Sequence, residues 1–246
     1  MRFVSVILMM AGLVFAAPLQ AAPFSAEQEK AIEKLIADYF VANPEKLGDA
    51  LDNMQAHYQE KEQQRMAQTL EDNADALYRT ASDFSLGPAD APITIVEFFD
   101  YNCGYCKRAL APLMQTLDEN EDVRLVFKEL PILSPSSRLA AKTALALDDP
   151  LTFLSYHTKL MTHQGSVNQT VIDKTLTELN LSPKAIAKKS NSKDIAKAIE
   201  DTSKLAERLG IKGTPAFIIN GALYPGALEA ADFATAIATA REELVN

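Results

Sequence analysis

The sequence predicts an α/β domain that carries a long helical insertion and is preceded by a separate helical segment. The first observation is a nearly continuous β-branched and aromatic run, Ile93 to Phe99, which gives way at Cys103-Gly104-Tyr105-Cys106 to apolar residues at helical spacing. The second is a pair of further strand-like runs, Val123 to Leu133 and Ala216 to Asn220, separated only by helical patterns. The third is the stretch 22–80, which reads as helix, first amphipathic and then polar on every face.

The chain begins with a positive Met1-Arg2, an apolar run from Phe3 to Phe15 and small residues up to Ala22. This is the pattern of a secretory signal peptide, expected over 1–21, with cleavage after Ala21 preferred to Ala22. The apolar run is shorter than the roughly 20 residues of a membrane span, and it holds no cysteine for a lipid. Without the leader, 23 basic residues face 33 acidic ones. That balance argues against nucleic acid or anionic lipid as partner.

Ser25 with Gln28 fits a capping box, and Ile32, Leu35, Ile36, Tyr39 and Phe40 form one stripe of a helix from Ser25 to Phe40. Asn43-Pro44 ends that helix and starts another, whose Leu47, Leu51, Met54 and Tyr58 make a short coiled-coil-like seam. From Gln59 to Arg65 every position is polar, so no face can be buried there. Residues 22–80 are thus expected to be a self-association segment and linker, giving a homo-oligomer; the alternative is that both helices fold back on the same molecule's core.

The catalytic domain is expected over 81–246. Its helical insertion, about 136–210, opens at Ser136-Ser137, with further starts at Asp149-Pro150 and Ser182-Pro183 and a stop at Gly210. His157 lies at core spacing with Leu154 and Leu160 and reads as a packed histidine, not a ligand. Lys184, Lys188, Lys189 and Lys193 read as a solvated face. Asn220-Gly221 signals a hairpin, and a last helix runs from Glu229 to Val245.

Cys103 and Cys106 are the only cysteines, and both sit in one Cys-x-x-Cys pair. At a strand-to-helix turn the first sulfur meets unpaired N–H groups and the positive end of the helix dipole, which favour thiolate. Cys103 is therefore the expected nucleophile, and Cys106, one turn into the helix, the resolving thiol. A structural disulfide would close too small a loop to stabilise much, and half a zinc site would lack ligands, since His57, His157 and His163 are scattered. No metal or cofactor is expected.

The succession of strand, Cys-x-x-Cys helix, strand, helical insertion, Thr214-Pro215, hairpin and final helix resembles a thioredoxin fold of the DsbA type over about residues 82–246. The phrase Phe-Phe-Asp-Tyr-Asn-Cys-Gly-Tyr-Cys-Lys-Arg and the N-terminal Asn-Pro-Glu resemble the ScsC-like branch, whose members include oligomeric disulfide isomerases and reductases. The resemblance implies that Glu97 is a buried acid assisting proton transfer at the resolving cysteine, with Lys128 as its candidate charge partner. It implies that Pro215 is a cis-proline facing the sulfurs, the alternative being an ordinary trans turn, and that Thr214 offers its backbone to an extended substrate. Gly104 and Tyr105 would also border substrate. Tyr105 carries no positive charge, and Thr214 stands where oxidases carry valine, so a less oxidising pair is expected.

These readings converge on thiol–disulfide exchange with unfolded or misoxidised exported proteins in the periplasm, as isomerase or reductase, with a membrane thiol reductase or oxidase as redox partner. A monomeric DsbA-like dithiol oxidase is the alternative of the same fold. A copper-binding or chaperone module, holding Cu(I) between the two thiolates, is the alternative of another class.

Overall fold

The computed structural model describes residues 24–245, so the expected signal peptide lies outside the described residues. Contacts divide the chain into two compact units, one ending at Gln59 and the other running from Glu60. In the first unit, α1 (Ala26–Ala42) opens with the expected reciprocal capping box between Ser25 and Gln28 and ends at Asn43. Helix α2 (Pro44–Asp72) follows with proline at its first position, and the polar stretch 59–65 is helical within it. No residue of α1 is buried; Leu35, Ile36 and Tyr39 are each at least half exposed.

The second unit starts earlier than the expected boundary at 80, and the reason is packing. Leu70, near the end of α2, and Leu77, in α3 (Ala74–Tyr78), are buried against the sheet, so the close of the supposed linker is part of the catalytic core. A polar stretch signals a linker in sequence, but two leucines are enough to anchor the helical turns on its C-terminal side.

The remaining elements are β1 (Ser85–Leu86), β2 (Ile93–Phe99), α4 (Gly104–Glu119) and β3 (Val123–Glu129). The insertion follows as α5 (Pro135–Ala144), α6 (Pro150–Thr162), α7 (Gln169–Glu178), α8 (Pro183–Ser190) and α9 (Lys193–Arg208). It opens one step earlier than expected, because Ser134 caps α5 and Pro135 takes its first position. Then come β4 (Ala216–Ile219), β5 (Ala222–Pro225) and α10 (Ala230–Val245).

The sheet has the order β1-β3-β2-β4-β5, with β2 and β3 parallel and the other neighbours antiparallel. Both of its faces are covered, which is why β2 and β3 read as continuous apolar runs. Ile93, Ile95, Phe99, Leu125, Phe127 and Phe217 pack on one side with α4, α10 and most of the insertion. Val96, Phe98, Val126 and Ile218 pack on the other with Leu70, Leu77 and the Leu205, Ala206 and Leu209 end of the insertion.

Register overturns one expectation. Glu97 lies opposite Phe127, while Lys128 lies opposite Phe98, so the side-chain period of two sends Glu97 and Lys128 to opposite faces. Lys128 is not the partner of Glu97. Its ammonium is bound instead by the carbonyl of Ala76 and the carboxylate of Asp83, in an ion pair where both side chains are buried. Removing one partner would leave an uncompensated buried charge, which costs about 3–5 kcal/mol. Lys128→Met is accordingly expected to lower the unfolding free energy in urea by about that amount. The double substitution Asp83→Asn/Lys128→Met should recover much of the loss.

Candidate active site

Cys103 is the N-cap residue of α4, extended at φ −79° and ψ 113°, and its Sγ accepts the N–H of Cys106 at 3.3 Å. A serine or aspartate usually holds that post; here the acceptor is sulfur. Cys103 also donates to the backbone carbonyl of Thr214 at 3.1 Å, which joins the helix to the loop before β4. The Thr214–Pro215 bond is cis. Both cysteines are free thiols.

Their environments push the two thiols apart. The Cys103 thiol is lowered to about 6, first by the hydrogen bond from the Cys106 side chain, with further bonds from Thr214 and from the Cys106 and Tyr105 backbone, against an opposing cost of burial. Thr214 Oγ1 has no hydrogen-bond partner among the described residues, so its hydroxyl is available to the thiolate. Cys106 is fully buried and its thiol is pushed far up, by burial first and then by Cys103 and the nearby Glu97. One sulfur is thus mostly ionised at neutral pH and the other stays protonated.

Glu97 is buried on the α4 side of the sheet, and its Oε2 has no hydrogen-bond partner. Burial, followed by the charge of Cys103, raises its carboxyl to about 8. It therefore holds a proton while Cys103 is ionised.

The structure brings Cys103, Cys106, Glu97, Thr214 and Pro215 together, and it sets Tyr105 at the rim. Tyr105 is 60% exposed and lines, with Thr214 and Pro215, a groove of about 660 Å³. Gly104 is exposed on a different side, where it borders a cavity formed with Asn102, Lys107 and the stretch 161–165.

Three polar residues escaped the sequence reading, Asp100 and Glu129 buried and Asn102 half-buried. Asp100 accepts the N–H groups of Asn102, at 2.7 Å, and Leu133, at 2.9 Å, and so shapes the turn into α4. Asn102 receives the N–H of Val167 at 2.7 Å and its amide faces the hydroxyls of Ser134, Ser136 and Ser137, tying that turn to the insertion. Glu129 accepts the hydroxyl of Tyr101 at 3.1 Å, and its carboxyl is raised well above the usual range, by burial first. The Asp-x-Asn spacing was a readable signal for the turn; nothing local distinguishes Glu129 from a surface glutamate at a strand end. His157 is fully buried among the rings of Phe99, Tyr101, Phe127 and Phe153, as a packed histidine, and burial lowers it to about 3, so it stays neutral.

A sulfur that caps the helix after a central strand, opposite a cis-proline loop, defines the dithiol class of thioredoxin-fold proteins. Residues 79–239 match the family described as Thioredoxin, and the chain belongs to that family. A thioredoxin-like oxidoreductase from Silicibacter pomeroyi is 34% identical, with a TM-score of 0.66 over 68% of this chain and 97% of that one. Proteus mirabilis ScsC, in a transitional conformation, is 30% identical with a TM-score of 0.67, covering 89% of this chain and 100% of that one. Bacillus subtilis disulfide bond formation protein D is 27% identical over 147 residues, 55% of this chain and 66% of that protein. The chain also matches the Na(+)/H(+) antiporter NhaA 1 of Salinispora arenicola, 28% identical over 160 residues, where it spans about a quarter (24%) of the relative's length.

In the reduced protein, alkylation of Cys103 should follow a single ionisation near pH 6, read from the pH dependence of the iodoacetamide rate. The folded value lies below that of an unfolded cysteine, so ionisation stabilises the folded, reduced state. That contribution is fully present above the ordinary cysteine value of about 8.5 and is lost as pH falls through about 6. The urea midpoint of the reduced protein, relative to Cys103→Ala, is expected to rise across this window; a flat difference would contradict the assignment.

Proposed function

We propose that this thiol–disulfide oxidoreductase of the thioredoxin family acts on exported proteins in the periplasm, as a disulfide isomerase or reductase. What carries the direction is Cys103 as the N-cap of α4 with glycine and tyrosine between the sulfurs, a setting that lowers its thiol to about 6. Stabilising the thiolate stabilises the reduced pair and makes the disulfide a stronger oxidant; helix-capping cysteines of strong oxidants ionise near 3.5 and those of thioredoxin near 7. The value here stands nearer the second, as befits a pair with glycine and tyrosine between the sulfurs and no histidine. The likeness to ScsC supports the same reading.

In the proposed cycle the Cys103 thiolate attacks a substrate disulfide; one substrate sulfur bonds to Cys103 and the other leaves as thiolate and takes a proton. Capture removes the negative charge from Cys103, and with it one of the two causes holding the proton on Glu97. Glu97 then ionises more readily and can take the proton of Cys106, whose own environment opposes ionisation. If a substrate thiol displaces Cys103, the substrate is isomerised with no net electron transfer. If Cys106 displaces the substrate, two electrons pass to it and Cys103–Cys106 becomes a disulfide. A membrane thiol reductase must then restore the pair.

The first unit supports assembly into a homo-oligomer. Leu35, Ile36 and Tyr39 of α1 and Leu47, Leu51, Met54 and Tyr58 of α2 are exposed at helical spacing, more apolar surface than a short helical pair leaves in water without a partner. Self-association would place several dithiols on one misoxidised substrate.

Reduced protein is expected to reactivate a scrambled-disulfide substrate, and a variant beginning at Glu60, which keeps Leu70 and Leu77, to retain reduction while losing most reactivation. Rapid oxidation of dithiols by both forms with no reactivation would instead identify a dithiol oxidase. Cys106→Ser should accumulate mixed disulfides through Cys103, visible on non-reducing gels. Cys103→Ser should accumulate none.

A further inference from the structure

The whole chain carries a net charge of −9, yet the charged residues lining the two cavities that flank the start of α4 are mostly cations. The groove shared by Tyr105, Thr214 and Pro215 is also lined by Arg108 and Lys212, with Glu229 the only carboxylate on its walls among the described residues. The adjoining cavity beside Gly104 has Lys107 and Arg108 in its lining and no acidic residue.

Of these cations, Lys107 is committed internally, since its ammonium donates to the carbonyls of His163, at 2.8 Å, and Gly165, at 2.9 Å. Arg108 is held differently. Its guanidinium carbon lies 4.3 Å from the ring centroid of the exposed Tyr105, a cation–π stack that orients the group but leaves its edge N–H donors free.

Along α4 no acid stands at helical spacing to neutralise it. Elsewhere Lys34, Lys197 and Lys204 pair with carboxylates four residues away. The residues three and four from Arg108 are Gly104, Tyr105, Ala111 and Pro112. Lys212, exposed in the loop before the cis-proline, lies on the same groove with no ion pair among the described residues.

We propose that this groove is a specificity subsite for acidic residues flanking the reactive cysteine of the substrate, with Arg108 as the carboxylate-binding group and Tyr105 as its positioning residue. The inference rests on the reading that Cys103 exchanges with polypeptide disulfides. An extended substrate paired along the Thr214 backbone would carry side chains past the groove, and a planar guanidinium suits bidentate capture of a carboxylate. The cations also steer acidic segments toward a nucleophile on a protein that otherwise repels them.

The test uses the reduced full mature chain and glutathionylated peptides of one length, whose residues flanking the cysteine are Asp, Asn or Lys. Each rate is normalised to that of the same peptide with dithiothreitol, which removes intrinsic leaving-group differences. The wild type should favour the Asp peptide over the Lys peptide by about tenfold at low salt, with the ratio shrinking as salt is added. Arg108→Met should bring the ratio close to one, and Arg108→Glu should invert it. Lys188→Glu, an equal charge change on α8 outside both cavities, should keep the wild-type ratio. Equal wild-type rates, or the same inversion in Lys188→Glu, would overturn this inference alone. Failure of every peptide to exchange would overturn it together with the reading beneath it.

Discussion

The hydrogen bond from the Cys106 N–H to the Cys103 sulfur is where fold and chemistry meet. It requires Cys103 to stop short of the helix with extended backbone, which the turn held by Asp100 arranges, and it requires Cys106 to lie inside the first turn. The same step that exposes one sulfur to donors buries the other. The opposite shifts of the two thiols are therefore one consequence of a helix beginning between them, not two separate adjustments.

The sheet supplies the second constraint. Because the period along β2 is two, an acid at Glu97 must face the side on which α4 packs, and among the described residues no cation offsets its burial there. A charged partner would have held the carboxylate ionised; an apolar site keeps it protonated until the charge nearby changes. The buried lysine expected beneath the site serves another purpose, fastening the end of the N-terminal helical stretch to β3. A buried ion pair adds little net stability, but it penalises any arrangement in which Ala76 and Asp83 leave that position.

Much of this was legible in the chain. Continuous apolar runs bounded by turn residues gave β2, β3 and β4, and the cap residues Asp149, Ser182 and Asn43-Pro44 gave helix starts to within a residue. Tight local rules made these visible: alternation, capping and proline geometry act over a few residues. The partners of Lys128 were not legible, because they depend on strand register, on Asp83 in the loop before β1, and on Ala76 in a segment that sequence alone assigns to a linker. The burial of Glu129 was hidden for the same reason, as was the start of the second unit at Glu60.

Charge around the dithiol involves more than the dipeptide between the cysteines. Tyr105 brings no positive charge of its own, and by itself it argues for a less assisted thiolate. In the structure its ring is the surface on which Arg108 rests, so the residue between the cysteines governs charge at the rim indirectly. Arg108 stands outside the hydrogen bonds that lower Cys103, and those run from the helix start and from Thr214. The site therefore separates two tasks that a histidine between the cysteines would combine. The Cys106 thiol, with backbone and hydroxyl donors, sets the reactivity of the sulfur, while an aromatic ring and an arginine shape which segments approach it. Changes in substrate preference can then arise at Arg108 or Lys212 without resetting the ionisation of Cys103, which is a freedom that a charge placed directly on the sulfur does not allow.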